Sequence, residues 1–159
     1  MKTIYLLRHA EAQNATSPDA DHDRPLSEKG RRDAYSLGAT LKAEKISPAV
    51  TRCSDARRTR ETLALMECGG TAGISRHLYL AEAETLLAEI YEAPPDAESL
   101  LIIAHNPGIA ELAARLSGDR FLDLEGFPPA TMGLFESSAS AWEDISPGNT
   151  RLNRVLILR

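Results

Sequence analysis

Thr3-Ile4-Tyr5-Leu6-Leu7-Arg8-His9 is an apolar, β-prone run that stops abruptly in two polar residues. It reads as a buried strand that delivers Arg8 and His9 to its C-terminal end. Ser99 to Ala104 (SLLIIA), the most strand-like run in the chain, ends the same way, with His105-Asn106-Pro107-Gly108 directly behind it. Two apolar strands that each end in a histidine set the frame for everything between them.

Working outward, Glu11 to Arg24 is a polar loop, and Pro25-Leu26-Ser27 opens a helix with Ser27 as N-cap. Ala34, Leu37, Gly38 and Leu41 recur at helical spacing, which carries this helix to about Ala43. Ala49 to Cys53 is a second strand, followed by a helix capped by Ser54 or Asp55 and ended by Gly69-Gly70. A short extended piece around Ile74 to Leu80 leads to a helix striped by Leu86, Leu87, Ile90 and Tyr91, which Pro94-Pro95 breaks. Beyond the second histidine, Ile109, Leu112, Ala113 and Leu116 mark a helix closed by Gly118. Thr131 to Phe135, Ala139 to Ile145 and Arg154 to Leu158 then read as three strands with short connections. This order predicts a three-layer α/β/α sandwich with a mostly parallel central sheet and a strand-rich C-terminal third.

At 159 residues the chain has the length of one domain, so residues 1–159 are expected to share one core. The net charge of −5 and pI near 5.4 argue against a nucleic-acid partner held by general attraction to phosphate. Within that acidic balance, Arg24, Arg31 and Arg32, and Arg52, Arg57, Arg58 and Arg60, form local clusters suited either to a small anion or to a solvated helix face. Cys53 and Cys68 are too few for a disulfide framework or a structural zinc site. The first apolar run is too short for a signal peptide and no stretch reaches the length of a membrane span, so a cytoplasmic protein without membrane partners is expected.

Ligands of open α/β sheets bind at the C-terminal ends of the strands, which makes His9 and His105 neighbours in this reading. A lone histidine is more often structural; two at equivalent strand ends are a different matter. Arg8 lies beside His9 and Arg58 follows the second strand, so two guanidinium groups can converge on the same crevice. Planar arginine forks and a histidine donor are the groups that stabilise a transferring phosphoryl group. The plain alternative for Arg58 is a surface ion pair with Glu61 or Glu28.

LRHAEA at 7–12 closely resembles the signature of the histidine phosphatase superfamily, which includes phosphoglycerate mutases and acid phosphatases. DRPLSEKGRRDA at 23–34, SDARRTRET at 54–62 and AHNPGI at 104–109 resemble its small SixA-type phosphohistidine phosphatase branch, in the same order and at compatible spacing. The resemblance implies a phosphoglycerate mutase-like fold in which His9 is the nucleophile and Arg8, Arg58 and His105 form the phosphate pocket. It favours Arg58 over Arg57 because the family arginine lies four residues after the serine matched by Ser54 and four before the threonine matched by Thr62.

It further implies a covalent phosphohistidine intermediate that water cleaves, with neither metal nor nucleotide as cofactor. Glu84, with Glu82 behind it, is the candidate general acid, although both can equally be favourable charges at a helix N-terminus. Two departures stand out: Ala10 replaces the glycine common after the histidine, and Asp55 replaces a proline common after the serine. Asp55 is tolerable if it caps the helix or pairs with Arg52, and His22 has no motif partner and is expected to be exposed. The implied substrate is a phosphorylated, histidine-containing protein or a small phosphorylated metabolite. A broad small-molecule phosphomonoesterase and a non-catalytic phosphate-binding module of the same fold are the alternatives.

Overall fold

The computed structural model describes residues 1–118 and 127–158. Its elements run β1 (Lys2–Arg8), α1 (Glu28–Ala43), β2 (Val50–Ser54), α2 (Arg57–Met66), β3 (Thr71–Ser75), α3 (Ala83–Tyr91), β4 (Ser99–Ala104), α4 (Gly108–Ser117), β5 (Thr131–Ser137) and β6 (Thr150–Ile157). The six strands form one sheet in the order β3-β2-β4-β1-β5-β6. β3, β2, β4 and β1 are mutually parallel, and β5 and β6 extend the sheet antiparallel. The class is α/β, with a mostly parallel sheet.

The apolar runs of β1 and β4 are continuous because both faces of these central strands are covered. Ile4, Leu6, Leu100 and Ile102 pack on one face with Leu86 and Ile90 of α3 and Leu112 and Leu116 of α4. Tyr5, Leu7, Leu101 and Ile103 pack on the other with Leu37 and Leu41 of α1 and Met66 of α2. Each fully buried aliphatic side chain contributes roughly 1.5–3 kcal/mol, so these two strands anchor both cores. The helix pair on the second face approaches closely at Gly38, where a Cβ would lie 2.1 Å from the Met66 carbonyl oxygen.

Parallel register places the two histidines side by side. Arg8 pairs with Ala104 across β1 and β4, and the next residue on each strand is His9 or His105. The His9 amide continues the ladder by donating to the Ala104 carbonyl at 3.2 Å.

Three details differ from the sequence reading. The expected strand at Ala139–Ile145 is instead a short 3₁₀ turn at Trp142–Asp144. Ala139, Trp142 and Ile145 are all buried, a spacing of three that fits a 3₁₀ turn and not the alternation of a strand. Trp142 is tied down there by Nε1 bonds to the carbonyls of Pro94 (3.1 Å) and Ala97 (3.0 Å). The second difference is at α2, whose N-cap is Ala56 with no side-chain cap, while Ser54 Oγ accepts from the Ala56 amide at 3.2 Å. The third is its end, where Glu67 takes the left-handed conformation (φ 50°) before Gly69-Gly70 is reached. No helix among the described residues is long and apolar enough to cross a membrane.

Candidate active site

His9 is 7% exposed and His105 2%, with ring centroids 5.3 Å apart. His9 Nδ1 lies 2.7 Å from the Ala10 carbonyl, which can only accept, so Nδ1 carries the proton. Nε2 is then left with its lone pair, and Arg58 Nε–H donates to it at 3.3 Å. Burial, with Arg58, Arg8 and Arg24 adding repulsion against the bond to Ala10, pushes the His9 pKa down to about 4. The ring is therefore neutral at pH 7, with its free nitrogen facing a guanidinium.

His105 is held by a 2.7 Å bond between Nε2 and Ser54 Oγ, and its Nδ1 is buried with no hydrogen-bond partner among the described residues. Burial first, then the neighbouring His9 and Arg58, lowers its pKa to about 3. Arg8 NH1 donates to the Phe127 carbonyl at 3.2 Å, while its Nε is buried and unpartnered. A buried donor left unsatisfied is costly, and an anion beside Arg8 Nε would relieve that cost.

Arg58 is 3% exposed, and its outer nitrogens are both taken by one residue. NH1 donates to the Asp21 carbonyl at 2.7 Å and NH2 to Asp21 Oδ2 at 3.2 Å. The same Oδ2 accepts the Tyr79 hydroxyl, and Oδ1 accepts Arg24 NH1 at 3.1 Å. The Tyr79 bond is the largest of the influences that hold the Asp21 pKa down at about 2. Arg57, one residue earlier, points away and pairs with Glu61 at 3.1 Å.

The loop wall is fastened to the start of α2 at three places. Asp21 receives Arg58, the Arg57 amide donates to the His22 carbonyl at 2.9 Å, and the His22 ring bonds Asp55 Oδ1 at 2.7 Å. His22 is thus partly buried and hydrogen-bonded to Asp55, in correction of its expected exposure, while Arg52 reaches across to Glu89 at 3.7 Å and not to Asp55. Ala10 causes no strain, since it is not among the residues at positive φ and its amide donates to Thr62 Oγ1 at 3.1 Å.

Together Arg8, His9, Asp21, Arg24, Arg58 and His105 line a cleft of about 360 Å³ that Glu11, Ala12, Leu80, Asn106 and Pro129 complete. A larger cavity of about 500 Å³ between α1 and α2 contains none of these groups. Glu84 stands outside the cleft: it pairs with Arg115 and lines an adjoining groove together with Glu82. α4 begins against that groove, where a Cβ on Gly108 would lie 2.0 Å from the Ala81 carbonyl oxygen.

Reading the sequence missed Asp21, Tyr79 and Ser54 as parts of this site. Arg24 carried a signal in the 23–34 motif. Tyr79 and Asp21 carried none, because their meeting is purely tertiary.

Two neutral histidines and three arginines in one cleft beyond the C-terminal ends of parallel strands suit a phosphoryl group. The sequence profile of the histidine phosphatase superfamily (branch 1) matches residues 4–84, and the chain belongs to that family. It is a phosphatase of the hydrolase class. An uncharacterized protein of Mycobacterium tuberculosis is 32% identical over 151 residues, covering 89% of this chain and 93% of the relative. Among solved structures, the protein assigned as the phosphohistidine phosphatase SixA from Nakamurella multipartitia superposes with a TM-score of 0.84 at 30% identity, covering 98% of this chain and 95% of that one. Its counterpart from Agrobacterium tumefaciens gives a TM-score of 0.84 at 25% identity, with 99% of each chain covered.

Proposed function

We propose that the chain hydrolyses phosphohistidine on a protein, through a covalent phosphohistidine intermediate on His9. The observation that carries this reading is the fixed tautomer of His9, whose buried ring holds its proton on Nδ1 and presents Nε2 to a cleft lined by Arg8, Arg58 and His105. Neutral imidazole is the form that can attack phosphorus. As the substrate phosphoryl group enters, one of its oxygens replaces His9 Nε2 as the acceptor of Arg58 Nε–H, and the lone pair is released for in-line attack. The bond from phosphorus to the leaving nitrogen breaks as the bond to Nε2 forms, and the substrate ring, already protonated on its other nitrogen, departs as neutral imidazole. Water then attacks the phosphorylated His9, releasing orthophosphate and restoring the neutral ring. The guanidinium groups of Arg8 and Arg58 offset the charge on the equatorial oxygens throughout.

The acids of the cleft support this substrate class. Among the described residues its lining carboxylates are Glu11 and Asp21. Asp21 is held ionised with a pKa of about 2, and Glu11 Oε1 accepts the Ser27 hydroxyl at 2.8 Å. An alkoxide needs a proton donor in order to leave, whereas an imidazole does so far less. The names of the similar SixA structures support the same reading. The test is to expose the protein to a phosphorylated histidine-containing transfer domain and to small phosphate esters, then map the trapped phosphate by mass spectrometry under alkaline conditions. Label on His9 with turnover of the phosphoprotein is expected. Label on another residue, or turnover of sugar phosphates alone, would sink the proposal.

A further inference from the structure

We infer that Asp21 and Tyr79 form a positioning pair that sets the Arg58 guanidinium against His9. The inference rests on the proposed phosphoryl transfer to His9 and adds to it two residues that touch neither nucleophile nor leaving group.

A guanidinium at the end of a long side chain has freedom to swing, and a phosphoryl-binding arginine is useful only where its donors meet the transition-state oxygens. Here the swing is removed by one residue. Asp21 takes NH1 on its main-chain oxygen and NH2 on Oδ2, at 2.7 and 3.2 Å, which leaves Nε facing His9 Nε2. Tyr79 in turn fixes the carboxylate, since its hydroxyl donates to the oxygen that holds NH2. The tyrosine ring is itself packed edge-on against His22 (4.7 Å) and His105 (5.6 Å), with the Arg58 guanidinium 5.9 Å from its centre. The chain of contacts thus runs from one catalytic histidine, through Tyr79 and Asp21, to the arginine that faces the other. An aspartate that accepts from three donors is poorly suited to give up a proton, so its part is geometric.

The negative charge has an opposite, smaller consequence: it repels an incoming phosphate. Removing it should therefore separate turnover from binding. Asp21→Asn is expected to lower kcat about 10-fold, while orthophosphate inhibits at the same or lower concentration and circular dichroism shows the fold retained. The loss should be equal on p-nitrophenyl phosphate and on a phosphohistidine protein, because positioning acts on the phosphoryl group they share. Tyr79→Phe, which removes only the hydroxyl, should show the same pattern at about 3-fold, and it decides the matter if Asp21→Asn does not fold.

Unchanged kcat overturns the pairing. A loss confined to esters with poor leaving groups assigns Asp21 a proton-donor role instead and overturns it too. Weaker orthophosphate inhibition together with a lowered melting temperature makes the contact merely structural, with the same result. Mass spectrometry of the trapped wild-type protein separates the two levels: no label on His9 defeats the nucleophile reading beneath, whereas label on His9 with an unaltered Asp21→Asn rate defeats this inference alone.

Discussion

The strand-end wall of the cleft carries His9 and His105 on backbone that the sheet already fixes, whereas the loop wall carries Asp21 and Arg24 on a segment tied down by side chains. On the first wall the rings are 7% and 2% exposed, and burial holds both neutral. On the second the side chains are 35% and 25% exposed and pair with each other at 3.1 Å. Arg58 bridges the two, buried like the first and bonded to the second. The difference teaches where each property comes from. Parallel pairing of β1 and β4 supplies a rigid, low-dielectric platform for His9, the proposed nucleophile, and the loop supplies charges whose effect water still moderates.

The hardest test of that division removes the platform's key group. His9→Ala should abolish phosphoenzyme formation and lower turnover roughly 10⁴-fold or more, read by single-turnover kinetics and by loss of the trapped label. A variant that retains substantial turnover would place the nucleophile elsewhere. The bridge comes next. Arg58→Ala should cost about 100- to 1,000-fold in kcat, while Arg57→Ala, one residue away on Glu61, should stay within about 2-fold. Reversal of this pair would mean that the register at the start of α2 is wrong.

The walls should also answer differently to acid. Native His9 binds its proton only near pH 4 and His105 only near 3, whereas both do so near 6.5 in the unfolded chain. The unfolded state therefore binds more protons below about pH 6.5, so stability is full above that pH and falls as pH drops toward 4. His9 alone accounts for about 3 kcal/mol of that loss. Urea midpoints measured from pH 7 to 4 should decline accordingly, and His105→Gln should flatten the slope. The acid limb of kcat/KM in the free enzyme should lie near 4; a midpoint near 6.5 would show that His9 is not desolvated as the structure has it.

The same contrast explains what could be read from the chain alone. β1 and β4 were legible because strands buried on both faces must be apolar throughout, and their terminal histidines then became neighbours by parallel register. Trp142 misled because its partners, the carbonyls of Pro94 and Ala97, lie in a loop more than forty residues earlier, and only the spacing of three from Ala139 to Ile145 betrayed a turn. Of the loop wall only Arg24 was legible, through the 23–34 motif. Asp21 and Tyr79 meet across 58 residues of chain, and neither side chain repeats or alternates with anything near it.

The smallest expected effect concerns Glu84, which stands beyond both walls. Its carboxylate is 69% exposed and is paired with Arg115, itself 47% exposed, so the pair is a solvent-screened surface contact. Glu84→Gln should leave turnover of a phosphohistidine protein and of p-nitrophenyl phosphate within about 2-fold of wild type. A series of phosphate esters with increasingly basic leaving groups sharpens the comparison. If the cleft works without a proton donor, wild type and variant decline along the series in parallel, because neither can supply the missing proton. A gap that widens with leaving-group basicity would bring Glu84 into the reaction and favour a broad phosphomonoesterase over a phosphohistidine phosphatase.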